Sequence, residues 1–136
     1  MILIKAEHYD EILRYSLEIL PNEACGLLGG KIEGLDKILE KVYLLENVDN
    51  SNEHFSMNPK EQFAAIKDMR NNGYVMLGNF HSHPESPSRP SEEDKRLAYD
   101  KELSYFILSL METGKPVLKS FMINKDLVKE EEIKII

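Results

Sequence analysis

Two histidines one residue apart, His81 and His83, are followed by Pro84, the turn-rich stretch ESPSRP, and then Ser91 and Asp94 three positions apart. Imidazole nitrogens and a carboxylate oxygen suit zinc. Three such ligands leave a fourth tetrahedral corner for water, the arrangement of catalytic rather than structural sites. Water held there is lowered to a pKa of about 7. The same spacing has a plainer reading. H-x-H is a short motif, and Ser91-x-x-Asp94 is an acidic capping box whose side chains merely satisfy helix-end N–H groups.

Whether these groups meet depends on the elements that carry them. Residues i and i+2 of a strand project to the same face, so a strand through YVMLGNFHSH puts Val75, Leu77, Asn79, His81 and His83 on one side, and Pro84 cannot continue a central ladder. Pro87 and Pro90 turn the chain, and Ser91 is a good N-cap for a helix predicted to run to about Lys101, with Asp94 in its first turn. A carboxylate is thereby returned towards two imidazoles at a strand end.

The rest of the chain supplies a scaffold. Residues 2–6 read as a short strand. A helix follows from about His8 to Leu20, with Leu13, Leu17 and Leu20 on one face and Pro21 as its stop. ACGLLGGKIE and KILEKVYLLENV flank Gly34 as an antiparallel hairpin, in which Gly29 and Gly30 permit a bulge or a close backbone approach. Asn58-Pro59 starts a second helix with Phe63, Ile66 and Met69 at helical spacing, ending at Asn71-Asn72-Gly73. SYFILSLM, VLKSFMI and the end segment around IKII read as three further strands, although the acidic KEEEIKII tail suits a frayed edge equally well. The order is mixed α/β.

With 136 residues, 42% of them hydrophobic and 30% charged, the chain fits a single globular domain over 1–136. A formal net charge of -7, with no extended Lys/Arg cluster, is the wrong footprint for nucleic-acid binding. No run of about 18 apolar residues or basic-then-apolar leader occurs, so neither membrane anchoring nor export is expected. The single Cys25 cannot form an internal disulfide or a cysteine-rich zinc knot, which favours a reducing, cytoplasmic setting. Cys25 itself reads as a small buried hydrophobe, and His8 and His54 read as surface residues, the latter in a loop that could face a substrate. Met69, Met76, Met111 and Met122 read as core filler.

The full pattern His81-x-His83-Pro84, six residues, Ser91-x-x-Asp94 resembles the signature of the JAMM family, also called MPN-plus. Its members are zinc-dependent isopeptidases that remove ubiquitin and ubiquitin-like modifiers. EACGLLGG, from Glu23 to Gly30, resembles the family's glutamate followed by a strand with a Cys-Gly pair, and FSMNP is similar to the family's polar loop. The likeness spans nearly the whole chain.

The resemblance implies a cytidine-deaminase-like α/β fold, a single mixed, mostly antiparallel curved sheet flanked by about three helices. It implies that His81, His83 and Asp94 hold one zinc ion, that Glu23 is the general base and that Ser91 supports the oxyanion. Chemistry gives each role a reason: a carboxylate to take and return a proton, and a hydroxyl and a metal to stabilise developing charge. Spacing alone would not select Glu23 among 24 acidic residues. As a bare domain the chain is similar to small prokaryotic members, whose substrates include archaeal small modifiers and bacterial sulfur-carrier proteins. The implied activity is hydrolysis after the C-terminal glycine of a ubiquitin-like modifier. Processing of a sulfur carrier, and a non-catalytic modifier-binding module, stand as alternatives. A zinc deaminase is excluded because H-x-E with P-C-x-x-C is absent. Oligomeric state is not legible.

Overall fold

The computed structural model describes all residues from Met1 to Ile136. Eleven elements follow one another: β1 (Ile2–Ile4), α1 (Ala6–Ile19), β2 (Cys25–Glu33), β3 (Asp36–Leu45), α2 (Pro59–Asn71), β4 (Val75–His83), α3 (Glu92–Arg96), β5 (Ser104–Ser109), β6 (Val117–Asn124), β7 (Leu127–Glu131) and β8 (Ile133–Ile135). The strands form one eight-stranded sheet in the order β7-β6-β5-β4-β2-β3-β1-β8. Pairings of β1 with β3, β1 with β8 and β4 with β5 are parallel, and the other four are antiparallel. The expected mixed, mostly antiparallel α/β fold with three helices is the one observed. The end segment holds two strands, β7 and β8, on opposite edges of the sheet. No helix is long and apolar enough to cross a membrane.

Each face of the sheet has its own core. On one, Ile12 of α1 packs with Ile2, Ile4, Leu28, Phe80, Phe106 and their neighbours. On the other, Ala65 and Met69 of α2 pack on Cys25, Leu27, Tyr43 and Leu45, and further along the same face Tyr105, Ile107, Phe121 and Ile123 form a third cluster. Alternation along β2 produces this division: Ala24 and Leu28 face one core, Cys25 and Leu27 the other.

Both long helices present different faces from those expected. In α1 the inward residues are His8, Ile12 and Ser16, while Leu17 and Leu20 are exposed and Leu13 is only partly covered. His8 is therefore a buried residue rather than a surface one, its Nδ1 accepting the Lys5 N–H at 3.4 Å. In α2, Ala65 and Met69 face the sheet and Phe63 and Ile66 face outward. The small Ala65 lets the helix lie close, and Gly29 beneath it completes the fit, since a Cβ there would lie 3.1 Å from Met69 Cγ. Met111 is half-exposed beyond the end of β5 and fills no core, in contrast to the buried Met69.

The hairpin turn at Gly34 adopts φ +62°, open to glycine at no steric cost. The glycine pair does disturb the register: β2 slips against β3 between Gly29 and Gly30, and against β4 between Leu28 and Gly29. Because Leu28 pairs with Gly78 and Gly29 with Met76, Leu77 is an extra, unpaired residue in β4. This bulge corrects the expected single face. Leu77 joins the α1-side core with Phe80, whereas Asn79 and His81 lie opposite Leu27 and Cys25 on the α2 side.

Candidate metal centre

His81 and His83 occupy the last turns of the β4 pleat, in register with Cys25 of β2 and with Ile107 and Ser109 of β5. Both imidazoles are buried, and they sit between the two apolar clusters of the α2-side face. His81 Nε2 and His83 Nε2 are 3.0 Å apart, and each lies 3.1 Å from Asp94 Oδ2. A tetrahedral ion with bonds of about 2.0–2.1 Å separates its ligand atoms by about 3.3 Å, so this triangle is close to the size that zinc requires. The three residues could hold a metal ion.

The surroundings fit that use. His83 Nδ1 lies 2.8 Å from the Pro87 carbonyl, the partner that makes Nδ1 the donor and turns the Nε2 lone pair towards the triangle. Phe55 stacks on His81 with ring centroids 4.7 Å apart. Burial alone would raise the Asp94 carboxyl, but hydrogen bonds from His81 and His83 outweigh it and hold the acid well below the usual carboxylate range. Burial lowers His83 in turn, and its bonds to Asp94 and Pro87 more than reverse this. Asp94 is thus ionised, and a cation entering the site would take the place of the imidazole protons that its carboxylate faces.

The plainer reading of Ser91-x-x-Asp94 is present, and it uses the atom that also faces the histidines. Asp94 N–H donates to Ser91 Oγ at 3.0 Å and Ser91 N–H donates to Asp94 Oδ2 at 2.9 Å, a reciprocal capping box, while that same Oδ2 faces the histidines. The helix it caps is shorter than expected. α3 ends at Arg96 instead of about Lys101, because Asp100 forms a side-chain turn with the Glu102 N–H at 2.8 Å and the Tyr105 hydroxyl donates to Asp100 O, also at 2.8 Å.

Glu23 lies just before β2. Ser82 N–H donates to Ala24 O and Ala24 N–H donates to Ser82 Oγ, extending the β2–β4 ladder and setting Glu23 level with His83. The side chain is 5% exposed. Burial chiefly pushes its carboxyl up from 4.5 to about 8, with His83 opposing and Asp94 reinforcing the rise. Cys25 is fully buried, and burial pushes its thiol up to about 12, so it is an inert part of the core. His54 is exposed, as expected, and its ring pairs with Glu93 of α3 at 2.8 Å, fastening the loop between β3 and α2 to the helix that carries Asp94.

One residue that the motifs do not mark organises this region. Asn47 is buried; its Nδ2 donates to Glu23 O at 3.0 Å and His54 O at 2.9 Å, and its Oδ1 accepts from Asp49 N–H and Ser56 N–H. The bond to Asp49, two residues on, is the local turn an asparagine after an apolar strand suggests, but the partner at Glu23 is 24 residues away. Asn47→Ala strands these groups, each costing about 1–3 kcal/mol if it stays buried and unpaired. A loss of a few kcal/mol in denaturant unfolding is expected; a change below about 0.5 kcal/mol would show that solvent replaces the amide.

Residues 5–124 match the family model described as prokaryotic homologs of the JAB domain. Among curated proteins the chain is similar to the CysO-cysteine peptidase of Mycobacterium tuberculosis, 26% identical over 136 residues, covering 100% of this chain and 92% of that protein. It is also similar to the desampylase of Pyrococcus furiosus, 34% identical over 95 residues, covering 68% of this chain and 63% of that protein. A solution structure of a protein from Desulfitobacterium hafniense superposes with a TM-score of 0.91 at 60% identity, covering 99% of this chain and 92% of that one. On the family match over most of its length, the chain belongs to the small prokaryotic JAMM proteins.

Proposed function

We propose that the protein is a zinc metallopeptidase that hydrolyses a peptide or isopeptide bond after the C-terminal glycine of a ubiquitin-like protein. The observation that carries this reading is the convergence of His81 Nε2, His83 Nε2 and Asp94 Oδ2 within 3.1 Å of one another, with the buried Glu23 beside them. Peptidase activity in the relatives supports it.

His81, His83 and Asp94 are the residues that would hold zinc, which when bound would supply Lewis acidity to activate water and polarise the scissile carbonyl. Glu23 takes the proton from the attacking water and returns it to the departing amine. Its burial suits both tasks, because desolvation makes the carboxylate a stronger base than one in water. Ser91 serves two ends. Its hydroxyl oxygen accepts the Asp94 N–H, which leaves the hydroxyl hydrogen free to donate to the oxyanion. Ser91→Ala is therefore expected to lower turnover and to cost about 1 kcal/mol of stability through the lost cap, read by steady-state kinetics and thermal unfolding. Full turnover would make Ser91 structural only.

The substrate tail can lie extended beside the loop at 47–58, whose Phe55 already covers His81. Two substrate types fit this chemistry: a small modifier conjugated to protein, and a sulfur carrier bearing a C-terminal adduct. The end-to-end similarity to a CysO-cysteine peptidase favours the second, the desampylase the first. Fusions of both types, incubated with the zinc-loaded protein with and without chelator, distinguish them by mass spectrometry. Cleavage after the terminal glycine that chelator abolishes is the expected result, and no cleavage of either type by loaded protein would overturn the proposal in favour of a binding module.

A further inference from the structure

The two histidines differ in how their outer nitrogens are satisfied. His83 Nδ1 has the Pro87 carbonyl at 2.8 Å. His81 Nδ1 is buried and has no hydrogen-bond partner on the protein. A buried ring N–H without a partner costs about 1–3 kcal/mol, and histidines that hold metals almost always donate their second nitrogen to an acceptor that fixes the ring.

A cavity of about 40 Å³ adjoins His81, lined by Asn79, Asp94, Tyr105, Phe55 and Leu97 among others. It is large enough for one water molecule, which needs about 10–15 Å³ and at least two polar partners. Its polar lining narrows the choice. Asp94 Oδ2 is engaged by the histidines and Ser91 and the Tyr105 hydroxyl is bonded to Asp100, which leaves Asp94 Oδ1 and the Asn79 amide as polar groups of the lining without a partner. Of these the Asn79 amide lies outside the ligand triangle and on His81's own strand, two residues before it on the same face of β4 beyond the Leu77 bulge.

We propose that Asn79 is a positioning residue for the metal centre, accepting through one water in this cavity the Nδ1–H of His81 and so holding that ring with Nε2 towards the metal. The inference rests on the metal reading above and adds to it a residue outside the signature.

The test compares zinc affinity, by competition with a chromophoric chelator, in the wild type, Asn79→Val and Asn79→Asp, with thermal unfolding of the metal-free forms as a control for folding. Asn79→Val keeps the strand and removes the acceptor, and is expected to bind zinc about 10–100-fold more weakly. Asn79→Asp has the same shape and keeps an acceptor oxygen, and is expected to stay within a few-fold of the wild type. Should Asn79→Val fail to fold, Asn79→Ala carries the same expectation. Wild-type affinity in a variant lacking the acceptor would overturn the assignment, as would a loss in Asn79→Asp equal to that in Asn79→Val. A wild type that binds no zinc would instead overturn the metal reading itself, so the two failures are distinct.

Discussion

Glu23→Gln is expected to cut the rate of cleavage by about 10²–10⁴-fold while zinc stays bound, because the amide can neither take nor return a proton. The side chain is buried level with His83 and keeps its shape in the variant, so the fold and the ligand triangle persist. Unchanged cleavage would remove Glu23 from the mechanism. The same substitution has a second, opposite consequence for the metal-free chain. Burial pushes the carboxyl up from 4.5 to about 8, so between those values the unfolded chain has released a proton that the folded chain retains. The folded state binds more protons there, and its stability falls as pH rises through that window. Glutamine does not titrate. After chelator treatment, Glu23→Gln should therefore match the wild type near pH 4 and exceed it by a few kcal/mol near pH 8, in denaturant unfolding at each pH. Parallel stability curves would show that the buried acid carries no such penalty. A buried acid that weakens its own fold is the usual cost of placing a charge where solvent is scarce.

Asp94→Asn acts on the other half of the site. Oδ2 is shared by His81, His83 and the Ser91 N–H, so one atom serves the triangle and the helix cap together. An amide oxygen still caps α3, since asparagine accepts from backbone N–H groups as well as aspartate does. It brings no charge to the ion. Zinc affinity should fall by more than the roughly 10–100-fold that loss of an outer partner costs, and the metal-free protein should lose stability as well near neutral pH, because the carboxylate that faces His81 and His83 is gone. Stoichiometric, tightly held zinc in the variant would contradict the ligand assignment.

The convergence of the proposed ligands was largely legible because it is local. His81, His83, Ser91 and Asp94 fall within fourteen residues, and a strand end, a proline turn and an N-cap suffice to bring them together. Glu23 was legible only through the family resemblance. Its place beside His83 is created by β2 pairing with β4, and no periodicity announces a pairing between residues some 60 positions apart. Asn47 escaped for a related reason, since one asparagine looks like another until its partners are known. The helix faces misled because the longest apolar side chains were assumed to point inward. The small residues Ser16 and Ala65 do so instead, and under α2 Gly29 makes the room. The slip at Leu77 was foreshadowed by Gly29 and Gly30, but which strand would carry the extra residue was not.

Because the β2–β4 seam sets Glu23 beside the segment that carries the proposed ligands, the proposed proton carrier and those ligands are separable. A substitution that loosened that seam, far in sequence from His81 and Asp94, would unhitch one from the other while leaving every proposed ligand in the chain.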